Sequence, residues 1–425
     1  MLAAIDRIVR NLALPTRGSH SSYPLDPAER KEQHAGAVSG SLITRIGNWQ
    51  ISSDTGCDFI FLDGVSHAWK IQPGAELKGL VDEMAARFLE ADLVAIKVQT
   101  HATLTGLRAL LRIFEQTGEA RLLEAAESRY RLYRSVAMTE NFANYNWFGR
   151  PEWTEPCAIV DSFIVATQLW RFTGAPAFLE DAHLIWFNAL GRGQRSNGGY
   201  GCDTCAGFRN PYLKIATYEA YWCCTMRGGE GHGRAIQYSF FTGPDELVLP
   251  FYNDSQATLR LGGGELTIRQ TTSYPYGGSV VPEIVSTNVP AAVKLRLFAP
   301  HWTVGHELKR NGRKLDSTIE GGFVTALTRV RAGDRISLDF ALRNAVVETR
   351  NPNSIRGYHA LLAGPLMLGC ESASEVLLPR NVPFTAEAPG EWRCGDVPLA
   401  RINNLSEIRA QPNDLCTRQL LFRKS

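Results

Sequence analysis

The chain has 425 residues, 44% of them hydrophobic, and its 45 basic and 43 acidic side chains leave a formal net charge of +2. Apolar material suffices for full-sized cores, whereas the balanced charge offers neither a basic field for nucleic acid nor an acidic block. Because charges interrupt the first stretch, MLAAIDRIVRNLALPTRG, and no segment approaches the roughly 18 apolar residues of a membrane span, we predict a cytoplasmic protein with no membrane partner.

Residues 20–75 are rich in Gly and Ser and indicate a long irregular insertion. From about residue 76 to 192 the apolar spacing is helical, with Leu104, Leu107 and Leu111 three and four residues apart and Gly118 at a C-cap position. Further helices are predicted over 78–92, 121–137, 157–172 and 177–190.

An internal echo links two helix starts in this region. TGEARLLEAAE at 117 and TGAPAFLEDAH at 173 share Thr-Gly, an apolar pair, Glu and Ala at an offset of 56 residues. Thr-Gly before an amphipathic helix is common punctuation, which would explain the echo without any repeat. The offset equally suits a helical hairpin used twice, as in an α/α barrel.

Around residue 240 the pattern changes to short alternating runs: ATLRL (257–261), ELTIRQ (265–270), VKLRLF (293–298) and DRISLDF (334–340). Such period-two alternation between turn residues indicates an antiparallel β-sandwich. We therefore predict a multi-domain α plus β chain, with an (α/α) helical-hairpin barrel over 1–240 and β-sandwich structure over 241–425. Only seven or eight helices fit before residue 240, so a barrel of twelve helices is expected to be incomplete at its N-terminus.

Nine cysteines, an odd number, in a reducing compartment argue against a disulfide framework and favour metal ligands or reactive thiols. Glu155 and Cys157 in WTEPCA, with the adjacent Cys223 and Cys224, make a set of four ligands that suits tetrahedral zinc.

Two other interpretations of the double cysteine stay open. Cys202 and Cys205 in GYGCDTCAG form a C-x-x-C pair, so these two could hold a structural zinc together with Cys223 and Cys224. Alternatively, the adjacent cysteines are small buried hydrophobes.

Several segments occur together: QTHATLTGLRALL, TENFANYNWFGRPEWTEPCA and WCCTMRGGEGHGRA, followed by LVLPFYNDSQATL, TTSYPYGG, LFAPHWT with NGRKL, and LLAGPLMLG. As a set they resemble the β-L-arabinofuranosidase family of glycoside hydrolases, family 127 and its relatives. The Glu-x-Cys pair combined with the double Cys is the specific element of this resemblance.

The resemblance implies a zinc-dependent retaining glycoside hydrolase, with the helical domain catalytic, that cleaves terminal furanosides, most simply β-L-arabinofuranosides. It implies Cys223 as the nucleophile of a thioglycosyl intermediate, with Glu155, Cys157 and Cys224 as its fellow zinc ligands. Glu140 in TENF matches the family's general acid/base, 15 residues before Glu155 and followed two residues on by Phe. Zinc would keep the thiol ionised, and Glu140 would protonate the leaving oxygen and then activate water.

Other residues near these motifs are further candidates. His101 in QTHAT matches a family histidine that touches the sugar, and Tyr145 and Trp147, in a polar loop, are candidates for substrate binding. Capping or core packing would account for each of the three as well. Glu230 and His232 lie close to the double Cys, where they could orient ligands.

Two other functions stay open. A non-catalytic carbohydrate-binding protein with a structural zinc would tolerate an incomplete barrel, and a glycosidase or lyase of the same architecture could use carboxylates such as Asp161 or Glu152. An incomplete barrel would lack part of the wall of its substrate pocket. Residues 20–75 or a second copy of the chain could supply that part, which leaves a homo-oligomer open. The expected partner is an oligosaccharide or glycoside substrate.

Overall fold

The structure is a computed structural model that describes residues 1–30, 40–195, 197–216, 220–372, 374–402 and 415–424. Within these residues eight α-helices lie before residue 240: α1 (Leu2–Ile8), α2 (Cys57–Ile71), α3 (Ala75–Glu90), α4 (Thr100–Thr117), α5 (Ala120–Val136), α6 (Pro156–Thr173), α7 (Pro176–Ile185) and α8 (Trp222–Gln237). None of the described helices combines the length and apolar character needed to cross a membrane.

Three strands lie among the helices: β1 (Leu42–Ile46), β2 (Trp49–Ser52) and β3 (Tyr212–Ala216). The remaining described strands follow α8: β4 (Phe241–Thr242), β5 (Glu246–Leu249), β6 (Ser255–Leu261), β7 (Gly264–Thr272), β8 (Ser279–Thr287), β9 (Val293–Phe298), β10 (Thr303–Arg310), β11 (Arg313–Lys314), β12 (Thr318–Glu320), β13 (Phe323–Thr328), β14 (Ile336–Leu342), β15 (Asn344–Glu348), β16 (His359–Ala363), β17 (Leu366–Glu371), β18 (Thr385–Ala388), β19 (Glu391–Cys394), β20 (Val397–Arg401), β21 (Leu415–Gln419) and β22 (Leu421–Phe422).

The long helices form two sets that alternate along the chain. α2, α4, α6 and α8 pack neighbour against neighbour, and α3, α5 and α7 each pack back on the helix before them. α4 and α6 both end at a left-handed glycine, Gly118 and Gly174, each with φ of 71°, and in both cases the next helix begins two residues later. The prediction of a helical hairpin used twice is therefore confirmed, and glycine is favoured at both ends because a side chain there would be strained.

The irregular insertion predicted over residues 20–75 is wrong for its second half, because β1 and β2 form a hairpin and α2 is a regular helix. Phe59, Leu62 and Val65 of α2 are buried at three-residue spacing, and α2 packs on α4. Asp63 and Gly64 interrupt the apolar residues between these positions, so the helix does not stand out in the sequence.

The strands that the structure describes after α8 form three sheets. One has the order β11-β10-β14-β8-β7-β6, a second β12-β13-β9-β5-β4, and the third is built on β15-β16-β17-β20-β19-β18 with β22, β21 and β3 attached. The four predicted runs lie in β6, β7, β9 and β14, and their pairing is antiparallel apart from β5, which runs parallel to β9.

Helices give way to strands between Gln237 and Phe241, yet the apolar core does not divide there. A single buried cluster extends from Ala13 of the N-terminal segment to Phe340 of β14. Separate clusters fill the third sheet. Since β3 pairs with β21, the helical half of the chain also contributes a strand to that last sheet.

We predict that Gly174→Ala lowers the free energy of unfolding by about 1 kcal/mol, because the glycine has a left-handed φ although an added Cβ would meet no atom. Gly64→Ala, also free of steric contact but inside α2, is the matched control and should raise it by about 0.5–1 kcal/mol. Urea unfolding measures the free energy of unfolding of both variants. An unchanged free energy in Gly174→Ala would contradict the left-handed conformation at this helix end.

Candidate functional site

Two helix N-termini meet at a cluster of thiols. Cys157 is the second residue of α6, and Cys223 and Cys224 are the second and third residues of α8. Their sulfur atoms all lie within 4.8 Å of one another, and those of Cys223 and Cys224 are 3.9 Å apart. Helix N-termini carry partial positive charge, so this position favours ionised thiols.

The three thiols differ in exposure and in proton affinity. Cys157 and Cys224 are 3% and 2% exposed, whereas Cys223 is exposed. Hydrogen bonds from Cys157 and Cys202 lower the pKa of Cys224 to about 3 against the opposing effect of burial, and the same bonds raise the pKa values of Cys157 and Cys202. Burial and the charge of Cys224 raise the pKa of Cys223. Within the cluster, the surroundings therefore favour ionisation of Cys224 over ionisation of its neighbours.

Glu155 precedes α6 and lies beside this cluster. Its backbone N donates to Oδ1 of Asn144 at 2.9 Å, and its Oε2 accepts from Nε2 of Gln99 at 3.1 Å. Burial raises the pKa of Glu155 to about 7; the charge of Cys224 adds to this shift and that of His101 opposes it. The carboxylate is thus coupled to the thiols electrostatically, although it lies outside the set of side chains within 4.8 Å of one another.

The structure separates the two cysteines of GYGCDTCAG. Cys202 lies near Cys224 and lowers the pKa of its thiol, whereas Cys205 is buried and donates to the carbonyl oxygen of Asn144 at 3.8 Å. Among the described residues, the cluster of possible metal ligands consists of Cys157, Cys223 and Cys224, so it does not include the alternative pair Cys202 and Cys205.

Asp161 is fully buried and joins three helices through its carboxylate. Arg108 of α4 donates from Nη1 to Oδ1 at 2.7 Å, and Arg227 of α8 forms an ion pair with the same carboxylate. Burial alone would raise the pKa of Asp161, but the charges of Arg227 and Arg108 hold it well below its usual range. Glu230 completes the network by pairing with both arginines.

This network sets the register between α6 and α8. Asp161 and Arg227 each lie one turn after a thiol of their own helix, Cys157 and Cys223, so their ion pair aligns the two helix starts. Close packing supports the alignment, because a Cβ added at Gly231 of α8 would come within 2.9 Å of a methyl group on α6.

His101 lies in the first turn of α4 and binds Asp161 through Nδ1 at 2.7 Å. Burial opposes protonation of the ring, but the hydrogen bond and the charge of Asp161 raise the pKa of His101. Since Nδ1 is taken by Asp161, Nε2 is the nitrogen left for a ligand.

The two aromatic candidates for substrate binding belong to the core. Trp147 is 0% exposed, its Nε1 donates to the carbonyl of Ser53 at 3.0 Å, and the guanidinium of Arg150 lies 4.1 Å from the ring centre. Tyr145 is 1% exposed. Both rings are buried because the polar loop that carries them folds inward, and contact of either ring with a substrate stays a prediction.

The other residues predicted near the double cysteine do not contact its sulfurs. Glu230 pairs with the arginines, and His232 binds the hydroxyl of Tyr200 through Nε2. Glu152, the second alternative carboxylate, accepts from Arg150.

Glu140 is buried and held by residues 350–354, which we call the clamp loop. The backbone N atoms of Arg350 and Asn351 donate to its Oε1 at 3.0 Å each, and the hydroxyl of Ser354 donates to the same oxygen at 2.7 Å. The clamp loop also binds the segment that carries Glu140, because Nδ2 of Asn351 donates to the carbonyl of Met138 at 2.8 Å. The three donors stabilise negative charge on Oε1.

Sequence reasoning missed the clamp loop and the arginines of the network. The clamp loop lies more than 200 residues from Glu140 and carries no motif, so nothing in the sequence could have found it. Arg227 and Glu230 stand three residues apart on a helix, a spacing that does predict an ion pair but not its buried partner.

We predict that Asp161→Asn lowers the free energy of unfolding by about 3–5 kcal/mol, because Arg108 and Arg227 would lose a buried anionic partner. Because the pKa of Asp161 is depressed, its contribution is complete above the ordinary carboxyl value, about 3.9, and declines as the pH falls further. Chemical unfolding at several pH values should show the two proteins converging in acid.

The control for this experiment is Asp82→Asn, which removes a carboxylate that is 53% exposed and paired with Lys78. It should cost less than about 1 kcal/mol. Equal losses in the two variants would contradict a structural role for the buried network.

Comparisons with known proteins agree with this architecture. Residues 246–342 match the family model described as the middle domain of the GH127 β-L-arabinofuranosidases, whereas no curated protein matches the chain. A GH127 β-arabinofuranosidase has a similar structure, with a TM-score of 0.72 at 13% identity over 90% of this chain and 70% of that one.

Two further solved structures are similar. A GH127 β-L-arabinofuranosidase from Geobacillus stearothermophilus T6 gives a TM-score of 0.66 at 14% identity over 90% of this chain and 74% of that one. A glycoside hydrolase gives 0.68 at 15% identity over 86% of this chain and 74% of that one. The predicted resemblance is thus confirmed: residues 246–342 carry the GH127 middle-domain signature, within a fold shared with GH127 β-L-arabinofuranosidases.

Proposed function

We propose that the chain is a retaining glycoside hydrolase for terminal furanosides, with Cys223 as nucleophile and Glu140 as general acid/base. One observation carries the proposal: an exposed thiol lies at a helix N-terminus, within 4.8 Å of two buried thiols, in a fold shared with GH127 enzymes. A terminal β-L-arabinofuranoside is the first substrate to test, because the matching family model and the similar enzymes carry that activity in their names.

The donor set fits zinc. Tetrahedral zinc with sulfur ligands at about 2.3 Å separates those sulfurs by about 3.8 Å, close to the 3.9 Å between Cys223 and Cys224. Cys157, Cys223 and Cys224 would supply three ligands and Glu155 the fourth. When bound, zinc would supply the positive charge that keeps these thiols ionised.

The chain's own residues would then perform a double displacement. Sγ of Cys223 forms a bond to the anomeric carbon as the bond to the leaving oxygen breaks, and Glu140 gives that oxygen its proton. Water next attacks the same carbon, gives a proton to Glu140 and displaces the sulfur, so two inversions retain the configuration. Because three donors favour charge on Oε1 of Glu140, the transferable proton belongs on Oε2.

The surroundings favour this assignment over the carboxylate-based alternative. Asp161 is 0% exposed and bound on both oxygens, so it has no free lone pair directed at a substrate. Nε2 of His101 is the group we assign to the sugar. We further propose that the alternating helices represent an (α/α) barrel, that the strands represent β-sandwich structure, and that the protein works in a reducing compartment such as the cytoplasm, where thiols persist.

We predict that Cys223→Ser lowers hydrolysis of 4-nitrophenyl β-L-arabinofuranoside roughly a thousandfold or more while the protein stays folded. Cys224→Ser should lose both zinc and activity, as measured by elemental analysis and release of nitrophenol. Cys205→Ser is the matched control, since Cys205 is buried but bound to Asn144, and should keep both. Turnover by Cys223→Ser would refute the nucleophile.

We predict that Ser354→Ala lowers kcat for this substrate about tenfold, because the carboxylate of Glu140 loses one of the three donors that fix its Oε1 and is positioned less precisely. KM should stay nearly constant. Ser317→Ala, an exposed serine in the strand half, should leave kcat unchanged. An unchanged kcat in Ser354→Ala would contradict a role for the clamp loop in positioning Glu140.

A further inference from the structure

A cavity lies at the ends of α2, α4, α6 and α8 that are opposite the thiol cluster. It has a volume of about 560 Å³ and is bounded by the C-terminal halves of α2, α4, α6 and α8 and by residues 240–242. Gln168 of α6 and Arg234 of α8 line it, each eleven residues beyond the thiol at the start of its helix. At 1.5 Å per residue that is about 16 Å along the helix axis. The cavity is therefore separate from the thiol cluster.

Cations outnumber carboxylates around this cavity. Lys70 and Arg171 share Glu115, with N–O distances of 2.6 and 2.7 Å. Among the residues that line the cavity, Glu115 is a carboxylate and the cations are Lys70, Arg108, Arg112, Arg171 and Arg234. Their ion pairs extend beyond the lining to the cation Arg227 and to the carboxylates Asp63, Asp161 and Glu230. Six Lys and Arg side chains thus share four carboxylates, an excess of two positive charges, and His101, which also pairs with Asp161, adds to that excess when it is protonated.

Some donors of these cations are incompletely used. Nε of Arg108 is buried without a hydrogen-bond partner. Nε of Arg234 lies 3.7 Å from the carboxylate of Glu230, which is beyond hydrogen-bond distance. His67 also lines the cavity. Burial and then the positive charge of Arg112 lower the pKa of His67, although the charge of Asp63 opposes this shift. An anion in the cavity would offset this unbalanced charge.

Aromatic side chains also line the cavity. Tyr238 and Phe241 stack with ring centres 5.9 Å apart at 20°, and the guanidinium of Arg171 lies 5.0 Å from the ring centre of Phe172. Guanidinium groups together with aromatic rings suit an anion attached to a small ring. The volume lies within the usual range for small-molecule sites, roughly 300–1,000 Å³.

We propose that this cavity binds a phosphate-type dianion, either as free phosphate or as the phosphate group of a small phosphorylated sugar. A dianion matches the excess of two positive charges, and phosphate oxygens match the paired donors of guanidinium groups. The inference goes beyond the proposed hydrolase function and uses neither the thiols nor Glu140.

The test is calorimetric titration of the full chain with inorganic phosphate, with a pentose 5-phosphate and with the uncharged pentose. Both phosphates should bind, with an affinity that falls as salt is added. Tighter binding of the pentose phosphate identifies a sugar phosphate as the ligand, and equal binding identifies free anion. Absence of phosphate binding to the unaltered chain would overturn the proposal.

Variants locate the site. Arg234→Gln and Lys70→Gln remove cavity cations that are 34% and 40% exposed, and each should weaken phosphate binding about tenfold. Arg131→Gln removes a cation that is 60% exposed on α5, outside the cavity, and should change nothing. Cys223→Ser should bind phosphate normally, which separates this site from the proposed active site. Equal effects of the cavity and control variants would refute the assignment.

Discussion

The buried carboxylate of Asp161 is the constraint on which the candidate site depends. It has no exposure and binds groups from α4 and α8 while belonging to α6. An ionised carboxylate in such a place is stable only when its cationic partners are correctly positioned, so the network tolerates one arrangement of the three helices. That arrangement brings Cys157 of α6 to Cys223 and Cys224 of α8, one turn away. The positions of the thiols therefore depend on an ion-pair network that lies one helical turn further along α6 and α8.

The site also depends on the strand half of the chain. Glu140 is held at Oε1 by three donors of the clamp loop, between β15 and β16, and Gly207 packs on the same side chain, since a Cβ there would lie 3.1 Å from Cγ of Glu140. The helical half also contributes to the strand half, because its strand β3 pairs with β21 of the last sheet. The helices therefore supply the thiols, and a loop of the last sheet positions Glu140, the proposed acid/base. Neither half is sufficient for the proposed reaction.

The two ends of the helices differ in charge for a physical reason. At their N-termini the helix dipoles favour anionic groups, and there the chain places the thiols and Glu155. At their C-termini the dipoles favour cations, and Lys70, Arg171 and Arg234 lie in the last turns of α2, α6 and α8. The dipoles help to keep these cations in place. Because carboxylates are fewer than cations there, net positive charge faces the cavity at that end of the helices.

Local sequence was sufficient for the elements that local rules control. The repeated Thr-Gly boundaries, the helices from α3 to α7 and the four alternating runs occur as predicted because helix ends and strand alternation depend on near neighbours. Helix α2 was not predicted, because Asp63 and Gly64 interrupt its apolar residues. Sequence also supplied the residues to which we assign the chemistry, in WTEPCA, the double cysteine and TENF. Only the tertiary structure decided that Cys202 approaches Cys224 while Cys205 does not, that Trp147 is buried, and that the clamp loop holds Glu140. Those outcomes depend on contacts between segments far apart in the chain, and no local pattern encodes which distant partners will meet.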